Sequence, residues 1–109
     1  MENLKYNNLT ELMAFNIKYY RYLKGLSQEQ LAELSHLSPE YISRIERGLN
    51  SPTIDKLETI AKALNMDAYI FLKQTKIDNA ILSKMTSTRQ YNQYNMNGTK
   101  KWNSYILII

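Results

Sequence analysis

The chain of 109 residues is long enough for one compact domain with an appendage, and its 44% hydrophobic content supports a modest core. With no cysteine and one histidine, it excludes disulfides, thiolate metal sites and any histidine-based metal or catalytic cluster, and it fits a reducing, cytoplasmic setting. Residues 1–75 carry nine Lys/Arg against nine Asp/Glu, so the net charge of +4 comes from residues 76–109, which hold five bases and one acid. Overall basicity is therefore a poor guide to nucleic-acid binding, and the placement of the charges has to decide. The opening MENLKYNNLT lacks the basic and apolar regions of a signal peptide. No apolar run approaches the roughly 18 residues of a membrane span.

Leu9, Leu12, Met13, Ile17, Tyr20 and Leu23 recur at three- and four-residue steps and predict an amphipathic helix over about residues 9–24. Gly25 stands where a helix-ending glycine belongs. Ser27 can cap a second helix, with Gln30 as its capping-box partner and Leu31, Ala32 and Leu34 as its apolar face. That helix ends near Ser35. Ser38 caps a third helix, Pro39 occupies its first turn, Ile42 and Ile45 point inward, and Gly48 ends it. Thr53 caps a fourth helix with Ile54, Leu57, Ile60, Ala61 and Leu64 on one face, and Asn65 suits a left-handed end. Asp67 is expected to cap a fifth helix carrying Ala68, Phe71 and Leu72. The pattern predicts an all-α fold of five short helices.

Composition shifts after about Thr75. Ile77, Ala80, Ile81 and Met85 suit one more helix. The remainder is rich in Asn, Gln and Tyr, and Asn97-Gly98 is a hairpin turn signal, so a β-hairpin over about residues 90–108 competes with a flexible tail. The division expected is a domain over residues 9–75 and a C-terminal extension over residues 76–109.

The second and third helices are joined by a tight link. Small Ala32 permits a steep crossing, and Leu31, Leu37, Ile42 and Ile45 fall inward there. Ser38, Pro39, Glu40, Tyr41, Ser43, Arg44 and Arg47 are left on the outer face of the third helix. A helix projecting this way can enter a DNA major groove. The stretches LSQEQLAELSHLSPEYISRIERG (residues 26–48) and SPTIDKLETIAKALNM (residues 51–66) resemble the helix-turn-helix domain of the Cro/phage-repressor type, the XRE family. The resemblance spans about residues 9–73. It implies a five-helix, lambda-repressor-like fold and a sequence-specific DNA-binding transcriptional regulator; with no cysteine, one histidine in a turn and three isolated glycines, no enzymatic activity, cofactor or metal is expected.

The resemblance also implies roles. Gln28, opening the second helix, matches a phosphate contact, reinforced by the helix N-terminus. Ser38, Pro39, Glu40 and Tyr41 match positions that read bases or hold phosphates. Ser43 shares their face. Arg44 matches a base reader, where arginine can grip guanine through two hydrogen bonds. Arg47, Asn50 and Ser51 lie where the family holds the next phosphate. Arg21 matches a position that pairs with a glutamate near the end of the third helix, here Glu46, and that pair is read as structural. Tyr41 has packing against the scaffold as its other reading, and Glu40 has a first-turn helix-dipole role. His36 replaces the usual glycine of the turn and is read as structural.

One domain covers one half-site, so a homodimer on double-stranded DNA is expected, acting as a repressor on a palindromic operator. The family often associates through the fifth helix or the segment after it, which points to Ile70, Phe71, Leu72, Ile77 and Ile81. Few bases are available, so specificity would lean on that dimer. The alternative is an antitoxin or restriction–modification controller, with a protein partner bound by the C-terminal extension.

Overall fold

The computed structural model describes residues 6–86. It has five α-helices, in order α1 (Leu9–Leu23), α2 (Gln28–Ser35), α3 (Pro39–Glu46), α4 (Ile54–Ala63) and α5 (Asn79–Thr86). A short 3-10 turn, Ala68–Leu72, lies between α4 and α5. No strand occurs among the described residues, and none of their helices is long and apolar enough to cross a membrane. The hairpin expected over about residues 90–108 lies outside the described residues.

Local chemistry sets the helix boundaries. Asn8, Ser27, Ser38 and Thr53 each accept a backbone N–H three residues on, at the starts of α1 to α4. Ser27 and Gln30 form the full capping box, since the Ser27 N–H also donates to Gln30 Oε1 at 2.8 Å. All four helices end in the same way. The N–H groups of Leu26, Leu37, Leu49 and Met66 donate to Arg21, Ala32, Arg44 and Ala61 carbonyls at 2.8–3.0 Å. Each closure turns the preceding residue left-handed: Gly25, His36, Gly48 and Asn65, with φ of 74°, 58°, 76° and 58°. His36 and Asn65 thus take the conformation expected of them.

The fifth helix read from the sequence is only a 3-10 turn, and Asp67 makes no side-chain cap bond. Asn16, buried on α1, holds the end of this turn. Its amide Nδ2 donates to the Phe71 carbonyl at 2.8 Å and the Lys73 carbonyl at 2.9 Å. These carbonyls are thereby drawn toward α1, and at Lys73 the backbone is already extended. The additional helix read from Ile77, Ala80, Ile81 and Met85 is present as α5, with Ile77 just ahead of it.

The main core joins Met13 and Ile17 of α1 to Leu31, Ala32, Ile42, Ile45, Leu57, Ile60, Ala61, Leu64 and Phe71. Five large apolar residues assigned to the helices are exposed: Leu9 (62%), Leu23 (44%), Leu34 (54%), Ile54 (68%) and Leu72 (39%) at the end of the 3-10 turn. Leu9 and Leu23 are the end residues of α1, and Ile54 is the first of α4. Leu34 lies away from the face of α2 that buries Leu31, Ala32 and Ser35.

A second core covers the opposite side of α1. Phe15 and Tyr19 pack with Leu82 and Met85 of α5, flanked by Tyr6, Tyr22, Ile77 and Ile81. Every residue of α1 from Leu12 to Tyr19 is therefore buried. Tyr20 Oη donates to Thr75 Oγ1 at 3.2 Å, and Tyr19 Oη accepts the Asp78 N–H at 2.9 Å. These bonds fasten the segment leading into α5 to α1. Phe71, read as part of a dimer strip, is fully buried core, and Ile77 and Ile81 are partly used by the second core.

Candidate nucleic-acid interface

The link between α2 and α3 is three residues long because His36 turns left-handed at once and Ser38 restarts the helix. Leu37 packs beneath this turn against the main core. α3 is then anchored by Ile42, Ile45 and Glu46, all buried. Their spacing leaves Ser38, Pro39 and Glu40 exposed, with Tyr41, Ser43, Arg44 and Arg47 half-buried along the same helix. Tyr41 leans on the edge of the main core. It is thus a scaffold contact with part of its surface outside. Ser38 accepts the Tyr41 N–H at 3.1 Å.

The charges on this face are sorted by depth. Glu46 is buried and receives Arg21 through a two-pronged pair: Nε to Oε2 at 2.6 Å and Nη2 to Oε1 at 2.9 Å. Arg21 is the structural partner expected of it. Burial opposes its charge, but the hydrogen bond to Glu46 and the Glu46 charge outweigh that, so its pKa lies above the ordinary value. Its guanidinium also lies 4.7 Å from the centre of the Tyr22 ring. Lys18, the other cation in the middle of α1, is buried as well. Arg44 and Arg47 are left as the cations of α3 that reach solvent. Arg47 Nε donates to the Ser43 carbonyl at 3.3 Å and to Ser43 Oγ at 3.2 Å, which lays its guanidinium along the helix.

Two further elements meet this face. Gln28 at the start of α2 is half-buried and donates Nε2 to Glu46 Oε1 at 3.0 Å. Asn50 and Ser51 lie in the loop between α3 and α4, and Ser51 Oγ is 2.9 Å from Thr10 Oγ1 on the first turn of α1. Gln28, α3 and the Asn50–Ser51 loop are therefore tied into one framework by α1. Thr10 and the Gln28–Glu46 bond were not read from the sequence, and no periodic signal marks them. Asn16 did leave a signal: a polar residue three after Met13 and four before Tyr20, on a face otherwise apolar. Among the described residues no group of three His, Cys, Asp or Glu could hold a metal ion.

Two short helices joined by a three-residue turn, packed on each other with polar residues outward, define a helix-turn-helix protein. The helix-turn-helix family model HTH_3 matches residues 17–71. Control protein C.SmaI of Serratia marcescens is 45% identical over 58 residues, covering 53% of this chain and 69% of that protein. Control protein C.BamHI of Bacillus amyloliquefaciens is 38% identical over 74 residues, covering 67% and 91%. The crystal structure of the hypothetical transcription factor NHTF from Neisseria superposes with a TM-score of 0.62 at 30% identity, covering 78% of this chain and 94% of that one. The chain belongs to the helix-turn-helix HTH_3 family of DNA-binding transcriptional regulators, the XRE (Cro/repressor) type.

Proposed function

We propose that the protein is a dimeric repressor that reads a two-fold symmetric operator, each copy laying α3 into the major groove of one half-site. The outward face of α3 supports this reading: Ile42 and Ile45 are spent on the core, and Arg44 stands in the last turn beside Ser43 and Arg47, partly open to solvent. Arg44 reads guanine through O6 and N7. Ser38, Pro39, Glu40 and Tyr41 meet the adjoining base edges and backbone. Gln28 and the first turn of α2 hold one phosphate, and Arg47, Asn50 and Ser51 hold the next. Ser43 acts through Arg47, whose guanidinium it braces. Residues 9–75 form the DNA-binding domain, and residues 76–109 an extension that serves association. The protein works in the cytoplasm, on double-stranded DNA.

The test is selection of duplexes from a random pool by the full chain, then footprinting with sedimentation. Two inverted half-sites roughly 34 Å apart, filled by two copies, are expected. A single asymmetric site filled by one copy overturns the dimer reading.

A narrower reading makes this regulator a restriction–modification controller, and two similar proteins favour it. C.SmaI is named as a control protein at 45% identity, and C.BamHI is matched over 91% of its length. Binding to DNA ahead of an adjoining endonuclease or methyltransferase gene supports it. Operators lying only at unrelated promoters count against it.

A further inference from the structure

Three helices meet at one carboxylate. Glu46, the last residue of α3, is 3% exposed, and Arg21 of α1 is 4% exposed. Arg21 takes both carboxylate oxygens, at 2.6 and 2.9 Å, and its Nη1 donates to the Leu26 carbonyl at 2.8 Å, two residues ahead of α2. Glu46 Oε1 also accepts Gln28 Nε2 at 3.0 Å. We propose that Glu46 is a positioning residue for DNA binding: it orients the Gln28 amide so that its outer N–H is presented to an operator phosphate. This rests on the reading of Gln28 as a phosphate contact.

The argument is one of donors and acceptors. A glutamine amide has two N–H donors on nitrogen and an acceptor oxygen. An ionised carboxylate only accepts, and so does a phosphate. Turned the other way, the Gln28 amide would set its oxygen against Glu46 Oε1, two acceptors facing each other at hydrogen-bond distance. Glu46 therefore selects the orientation with nitrogen inward. One N–H is used on Glu46 and the second stays on the same nitrogen, facing away from it. An unheld glutamine would present oxygen as readily as nitrogen and would lose rotamer freedom on binding. Arg21 keeps the carboxylate in one pose by two bonds, and the Leu26 carbonyl keeps Arg21 in its own. The ion pair thus acts on the phosphate through Gln28 without touching DNA.

The experiment uses the full chain and operator duplexes carrying one neutral methylphosphonate at each backbone position in turn. For the wild type, neutralising the phosphate that faces Gln28 in each half-site is expected to weaken binding about tenfold, and the phosphate held by Arg47, Asn50 and Ser51 forms a second sensitive position. Gln28→Met should bind unmodified DNA about tenfold more weakly and ignore the position that faces Gln28. Glu46→Gln, which can offer either group to Gln28, should lose most of the sensitivity there and keep it elsewhere. Glu46→Gln added to Gln28→Met should change nothing further. Because Glu46→Gln leaves Arg21 buried without its counter-charge, the pair replacement Arg21→Met with Glu46→Leu is measured alongside; it should fold cooperatively and show the same selective loss. If the carboxylate-free variants keep wild-type sensitivity at that phosphate, the proposal fails while Gln28 stands as a phosphate contact. A loss spread evenly over all phosphates marks a purely structural pair and also overturns it. If Gln28→Met binds like the wild type, the reading of Gln28 falls, and the proposal with it.

Discussion

His36 shows how a single residue can be both out of place and tolerated. Its φ of 58° matches the left-handed value that Gly25 and Gly48 reach at two other helix ends, yet it carries a side chain. The side chain is exposed, so contacts do not explain the choice. Replacing it with a β-branched residue should cost about 1–3 kcal/mol through backbone strain alone. We expect His36→Val to lower the stability measured by urea unfolding by that amount and His36→Gly to leave it nearly unchanged or raise it. Equal effects of the two would show that the turn is not strained. Arg21 and Glu46 make the second residue-scale case. Glu46→Ala strands a buried guanidinium and should cost about 3–5 kcal/mol, whereas replacing both partners with apolar residues should cost far less. The raised pKa of Arg21 means that its share of stability is present throughout the neutral range and is lost only as pH rises past its folded value. The pair itself was legible, because both positions match a long ordered motif. The Gln28 bond was not, because nothing in sequence spacing places the end of α3 beside the start of α2.

At the scale of elements, caps and closures were the most legible feature. Ser27, Ser38, Thr53, Gly25, Gly48 and Asn65 all act where their chemistry says they should. Faces were less legible, and α1 explains why. Periodicity finds one apolar stripe, but α1 is packed on two sides and buries Phe15 and Tyr19 as well as Met13 and Ile17. A helix covered all round has no stripe to contrast with. The change of composition near Thr75 likewise marks a boundary in residue usage, although α5 beyond it packs directly on α1. Leu82 is 5% exposed within that contact. Leu82→Ala should therefore cost about 2–5 kcal/mol in thermal or urea unfolding. A cost below about 0.5 kcal/mol, the level of an ordinary surface change, would mean that α5 adds little to the domain. Asn16→Leu should also destabilise, by about 1–3 kcal/mol, because it orphans the Phe71 carbonyl in a buried setting.

For the whole molecule, charge is the governing quantity. Residues 1–75 balance nine bases against nine acids, and Lys18 and Arg21 are withdrawn into the interior. If residues 1–75 alone meet the DNA, general attraction is expected to be weak and discrimination to come from a few placed groups. With Arg47 as the cation set for a phosphate in each copy, a dimer should show a shallow salt dependence, a slope of about −2 in log K against log salt. A slope near −10 would mean that many more bases, including those of residues 76–109, lie along the DNA. The central claim is that α3 reads sequence through Arg44. The measurement that tests it most directly is the affinity of wild type and Arg44→Ala for a selected operator and for versions substituted at each base pair. The account predicts that Arg44→Ala weakens operator binding by about 1–3 kcal/mol and abolishes the preference at one guanine per half-site, leaving the other positions unchanged. An Arg44→Ala protein that binds the operator with wild-type affinity and wild-type base preferences would contradict it.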